Sequence, residues 1–102
     1  MSGVGVLTVH HDEDARRAAR GVVNATPGFD EVGAAGSAEE AIDLAVTVRP
    51  DLALVAAEMP GIDGLETSRL LGEAAPETVV CILHDALTRS SLQELWEQHR
   101  TR

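Results

Sequence analysis

The sequence predicts an α/β protein built on a doubly wound parallel sheet, and three observations carry that expectation. Short apolar runs alternate with amphipathic helical stretches along the chain. One run, Leu52-Ala53-Leu54-Val55-Ala56-Ala57, is apolar without alternation, as a strand buried on both faces requires. Two turn-forming pairs, Pro60-Gly61 and Asp63-Gly64, follow that run directly. Strand–helix–strand connections of this kind are right-handed and bring the strands together in parallel.

Each element has its own warrant. Val4–Val9 is rich in β-formers and ends in His10-His11-Asp12. Asp12 or a neighbour caps a first helix whose opening turn is acidic, Glu13-Asp14, as the helix dipole favours. Its stripe is Ala15, Ala18, Ala19, Val22 and Val23. After a turn at Pro27-Gly28, Glu31–Ala35 is a short second strand. Ser37-Ala38-Glu39-Glu40 reads as a capping box. The helix it opens carries Ala38, Ala41, Ile42, Ala45 and Val48 on one face, and Pro50 ends it. The apolar run above is the third strand. A third helix covers Leu65–Ala74, a fourth strand covers Thr78–Leu83, and Ser91-Leu92-Gln93-Glu94 opens a last helix with Leu92, Leu95, Trp96 and His99 on one face.

Composition narrows the function classes. At 102 residues with 44% apolar content the expectation is one domain, 1–102, with its own core. The only aromatics besides histidine are Phe29 and Trp96, so Val, Leu, Ile and Ala must build that core. A single cysteine, Cys81, rules out an internal disulfide and suits a reducing compartment. No secretory leader or run of about 18 apolar residues is seen, so a cytoplasmic protein is expected. The net charge of −9 argues against nucleic-acid and anionic-membrane partners. Gly3-Val4-Gly5 precedes a strand and is no dinucleotide fingerprint, and no nucleophile elbow or helix-turn-helix is visible. An enzyme is not expected. All eight basic residues are arginines, and lysine is absent.

The stretch Pro50–Leu71, PDLALVAAEMPGIDGLETSRLL, resembles the third strand, active loop and third helix of bacterial response-regulator receiver domains, most of all LuxR/NarL-type receivers. The resemblance implies a flavodoxin-like fold with strand order 2-1-3-4 and a role in two-component or phosphorelay signalling. Ligand crevices in such sheets lie at the carboxyl ends of the strands. Aligned with the family pattern PDLVLLDLRMPG, the phosphate-accepting aspartate falls on Ala56. The acidic pair that holds Mg²⁺ falls on His10 and His11, and the reporting Ser/Thr on His84. Glu58, Met59, Pro60 and Gly61 correspond to the active-site loop. The family's phosphoryl-pairing lysine has no counterpart. A degenerate receiver without phosphoacceptor chemistry, Mg²⁺ or another cofactor is therefore expected.

Imidazole is a poor ligand for Mg²⁺ and a good one for Zn²⁺, Ni²⁺ or Cu²⁺. His10, His11 and His84 could accordingly form a transition-metal site or a pH-responsive cluster. As neighbours on an extended chain, however, His10 and His11 should point to opposite faces. The resemblance also implies a fifth strand and helix, which the sequence lacks. Strand four would then be an apolar, uncharged edge. The last helix covers that edge, a second copy pairs with it, or another protein supplies a strand. The expected partner surface is Val79, Val80, Cys81, Ile82 and Leu83 with Leu92, Leu95 and Trp96, and a homodimer is favoured.

Overall fold

The computed structural model describes residues 3–100. In chain order it contains β1 (Val4–Val9), α1 (Glu13–Ala25), β2 (Phe29–Ala35), α2 (Ala38–Val48), β3 (Leu52–Ala56), α3 (Gly64–Ala74), β4 (Val79–Leu83) and α4 (Arg89–His99). The sheet order is β2-β1-β3-β4, with every pairing parallel. Both the alternation and the strand order follow the sequence expectation.

Burial explains why β3 is central. All five of its residues are buried. Because side chains alternate across a strand, Leu52 and Leu54 pack on one face and Ala53 and Val55 on the other. The first face joins Val6 and Cys81 to Val23 of α1 and Leu92 of α4. The second joins Leu7 and Val9 to Ala41 and Ala45 of α2 and Leu71 of α3. Small alanines on α2 let that helix lie close to the sheet. Between β1 and β2 the register slips after Val6, which pairs with Glu31 while Leu7 pairs with Gly33. Val32 is the extra residue, and its side chain is exposed at this bulge.

The caps set the helix limits. Asp12 accepts the Asp14 N–H, and Asp63 accepts the Glu66 N–H at 2.9 Å. At Ser37 the expected box is displaced. Ser37 Oγ accepts the Glu40 N–H, while Glu40 Oε1 takes the N–H of Gly36 at 2.7 Å. The last helix is capped at Thr88, three residues before the expected Ser91 cap. Thr88 Oγ1 accepts the Ser91 N–H and Ser91 Oγ accepts the Thr88 N–H, so the reciprocal box closes one turn earlier. The second strand also starts earlier, at Phe29, whose ring is buried in the core.

The position of α4 could not be chosen from the sequence. It lies beside α1 on one face of the sheet, through Leu92, with Leu95 and Trp96 half-buried on the same cluster. It does not close the β4 edge. Leu92, expected at a partner surface, is fully buried within the chain, and Cys81 nearly so. Leu92→Ala should lower unfolding free energy in urea by about 2–5 kcal/mol. Leu65→Ala, at a position 71% exposed, should change it by less than about 0.5 kcal/mol.

Candidate functional site

The carboxyl ends of β1, β3 and β4 open on one side of the molecule. β1 ends at Val9, and the His10 N–H still bonds the Ala35 carbonyl at 3.0 Å, which holds the strand's exit in place. The chain then turns into α1. As a result His10 and His11 do not splay to opposite faces; their rings stack with centroids 4.9 Å apart and planes 26° apart. His10 Nδ1 accepts the Asp12 N–H at 3.0 Å, so in this tautomer the proton sits on Nε2. Arg16 Nη1 donates to the His10 carbonyl at 2.7 Å.

His10 titrates below the ordinary histidine range. Burial is the largest cause, followed by the charge of His11, with Arg16 adding to it and Asp12 opposing it. At neutral pH the ring is accordingly an uncharged donor through Nε2.

β3 ends in Ala56, 8% exposed. The next residue, Ala57, donates its N–H to the Leu83 carbonyl at 2.9 Å, tying the end of β3 to the end of β4. Its carbonyl accepts the Gly64 N–H at 3.1 Å, so the loop folds back on the strand end. Only glycine fits at position 64, because a Cβ there would collide with the Ala56 carbonyl. Within the loop, Met59 is half-buried against the Leu71 cluster, and Glu58, Pro60 and Gly61 are exposed, Gly61 with φ +80°. His84 and Asp85 are exposed past the end of β4, and Leu87 turns back into the core.

A cavity of about 530 Å³ lies among these elements. Its lining includes His10, His11, Ala56, Glu58 and His84, so the sequence-predicted pocket residues share one space. It also includes Ala18, Ala19 and Val22 of α1 and Leu54, which sequence reasoning assigned only to packing, and Leu87, which it did not single out. The signal available in the sequence was the run of small side chains on the α1 stripe.

The transition-metal expectation does not hold. Among the described residues no group of three or more His, Cys, Asp or Glu side chains could hold a metal ion. The three imidazoles line one cavity without converging on a point. Two further acids have structural work. Asp51 Oδ2 accepts the Gly5 N–H at 2.8 Å at the opposite end of the sheet. Glu31 accepts the Thr8 hydroxyl at 2.8 Å, with its side chain 7% exposed and Arg20 Nε 3.8 Å away.

β4 presents a different kind of surface. The Val79 N–H bonds Asp51 and the Leu83 carbonyl accepts from Ala57, so odd-numbered residues of β4 face β3. Val80 and Ile82 therefore turn their backbone N–H and C=O outward at the sheet edge.

A histidine whose pKa is lower in the folded than in the unfolded chain resists protonation on folding. Its stabilising contribution is complete above the unfolded value of about 6.5 and shrinks as pH falls below it. In an NMR titration the His10 imidazole should titrate below 6.5, and His10→Gln should reduce the loss of stability between about pH 7.5 and 5.5.

Comparison with known proteins agrees with this geometry. Residues 6–99 match the family model described as response regulator receiver domain. A protein-glutamate methylesterase/protein-glutamine glutaminase of Myxococcus xanthus is 35% identical over 77 residues, 76% of this chain and 22% of that protein. The positive alginate biosynthesis regulatory protein of Pseudomonas aeruginosa is 31% identical over 93 residues, 88% of this chain and 38% of that protein. The chain thus spans well under half the length of either relative. Among solved structures, the response regulator domain of Thermotoga maritima CheB superposes with a TM-score of 0.72 at 24% identity, covering 91% of this chain and 71% of that one. CheY from the Borrelia burgdorferi CheX–CheY–BeF₃–Mg complex gives a TM-score of 0.81 at 16% identity over 95% of this chain and 90% of that one, a likeness of fold. The two relatives are not named as LuxR-type proteins, the subtype that the sequence suggested. By family match, fold and strand order, the chain belongs to the response regulator receiver domains.

Proposed function

We propose that the chain is an atypical receiver module of a two-component or phosphorelay pathway, one that is not phosphorylated at the usual strand-three position and acts through protein–protein contact. The observation that carries this reading is Ala56. It stands where the family pattern has the phosphate-accepting aspartate, and its methyl group offers no oxygen to a phosphoryl donor. The neighbouring positions agree. His10 and His11 replace the acidic pair, and a neutral imidazole neither attracts nor orients a hard cation such as Mg²⁺. Glu58, the nearest acid in the chain to Ala56, is an exposed loop residue. No catalytic activity is proposed for the module itself.

The surface proposed for the partner is the β4 edge. Val79–Leu83 carries no charge, and four of its five side chains are half-buried. Its outward backbone groups at Val80 and Ile82 are positioned to continue a sheet. The occupant proposed is a second copy pairing across a two-fold axis, since an uncharged edge avoids setting the chain's net charge of −9 against itself at the contact. Leu95 and Trp96 of α4 are half-buried against the same apolar cluster as Val79 and Leu83 of β4.

Two measurements test this reading. Incubation with acetyl phosphate and Mg²⁺ should give no phosphoryl adduct by intact-mass spectrometry; a stoichiometric adduct on the folded chain overturns the phosphorylation part. Light scattering should find a dimer at micromolar concentration. Ile82→Pro, which removes an outward N–H and spares the β3–β4 ladder, should give a folded monomer. A wild-type monomer at high micromolar concentration rejects the homodimer.

A further inference from the structure

The strand-end cavity has the size of a small-molecule site. Its volume of about 530 Å³ falls inside the usual ligand-pocket range of roughly 300–1,000 Å³. It is open because the side chains around it are small. Ala18 and Ala19 of α1 and Ala56 of β3 line it, together with Val22, Leu54 and Leu87. Water against such a floor finds few polar partners, which favours its displacement by an apolar body.

The rim decides the ligand's charge. Glu58 and Asp85 stand there against Arg16, whose Nη1 is already committed to the His10 carbonyl. Two carboxylates and a net charge of −9 oppose an anion. The apolar floor opposes a cation, since a charge moved into it loses its hydration without a partner. What the rim does offer is a neutral donor. With Nδ1 of His10 occupied by the Asp12 N–H, the proton on Nε2 is the ring's free hydrogen-bonding function.

We propose that this cavity binds a small, uncharged, predominantly apolar molecule bearing a carbonyl-type hydrogen-bond acceptor. The proposal rests on the reading that no phosphoryl group occupies the strand ends. It adds to that reading a chemical input in place of a covalent one. Because His84, Asp85 and Leu87 belong both to the cavity wall and to the segment joining β4 to α4, a bound molecule bears directly on the position of α4.

The test uses the full chain and Prodan, a neutral naphthalene ketone whose emission shifts to the blue in apolar surroundings. Saturable one-to-one binding at micromolar concentration is expected. Ala18→Phe, at an exposed helix position that tolerates the larger side chain, should weaken it by about tenfold or more. Ala56→Ile should do the same from the end of β3, and His10→Phe should weaken it less, by removing only the donor. Ile82→Pro should leave it unchanged, since that variant alters the β4 edge alone. Absence of saturable binding overturns the proposal, as does binding that survives Ala18→Phe in a folded variant or is lost in Ile82→Pro. Should Ala56→Ile fail to fold, Ala18→Phe decides alone. Neither failure touches the phosphorylation and dimer measurements, so failure of this proposal is distinguishable from failure of the reading it rests on.

Discussion

Everything in this fold hangs on β3. Its five residues are buried, its backbone is bonded to β1 on one side and β4 on the other, and both of its faces are apolar. A strand in that position cannot be satisfied by one layer of helices. It needs α1 and α4 on one side and α2 and α3 on the other, and a charge at any position from Leu52 to Val55 would face apolar neighbours without water. The alternation of strands and helices is the chain's way of supplying both layers around a single central strand.

The same constraint shapes the strand ends. Where β1, β3 and β4 stop, no further strand residue fills the space above the sheet, and the loops must seal it. Gly64 brings α3 against the Ala56 carbonyl, and the β4–α4 segment returns through Leu87. What remains between them is an apolar space with a histidine rim. In a receiver that binds Mg²⁺, this region must supply hard oxygen ligands to a cation. Here Ala56 and the stacked imidazoles of His10 and His11 stand at the strand ends, with the carboxylates of Glu58 and Asp85 on the loops beside them.

The two faces of β4 are unequal. Toward β3 it is fully paired; on its outer side, among the described residues, the backbone groups of Val80 and Ile82 meet no strand. The last helix does not resolve this, because its apolar stripe is better buried beside α1 than laid along a strand edge. Leu92 fills the gap between Val23, Leu54 and Cys81, and that packing fixes the helix on the face. Hydrophobic burial is proportional to area, and the sheet face offers more of it than an edge.

The fold class, and through family resemblance the strand order, were legible in the sequence, which also named His10, His11, Ala56 and His84 as the residues expected at the strand ends. Those features are written in local patterns: an apolar run that does not alternate, a Met-Pro-Gly turn, helix stripes of period 3.6. Helix starts were less legible, because both Thr88 and Ser91 can cap a helix, and in the fold Leu87 returns to the core just before Thr88 takes the cap. Tertiary structure alone decided the rest. It stacked His10 on His11, since the strand ends at Val9 and the backbone turns. It kept the imidazoles from converging on a metal, with His10 and His11 leaving the end of β1 and His84 the end of β4. It placed α4 beside α1 and opened a cavity behind the alanines. These outcomes depend on which distant surfaces meet, and no window of sequence holds that information.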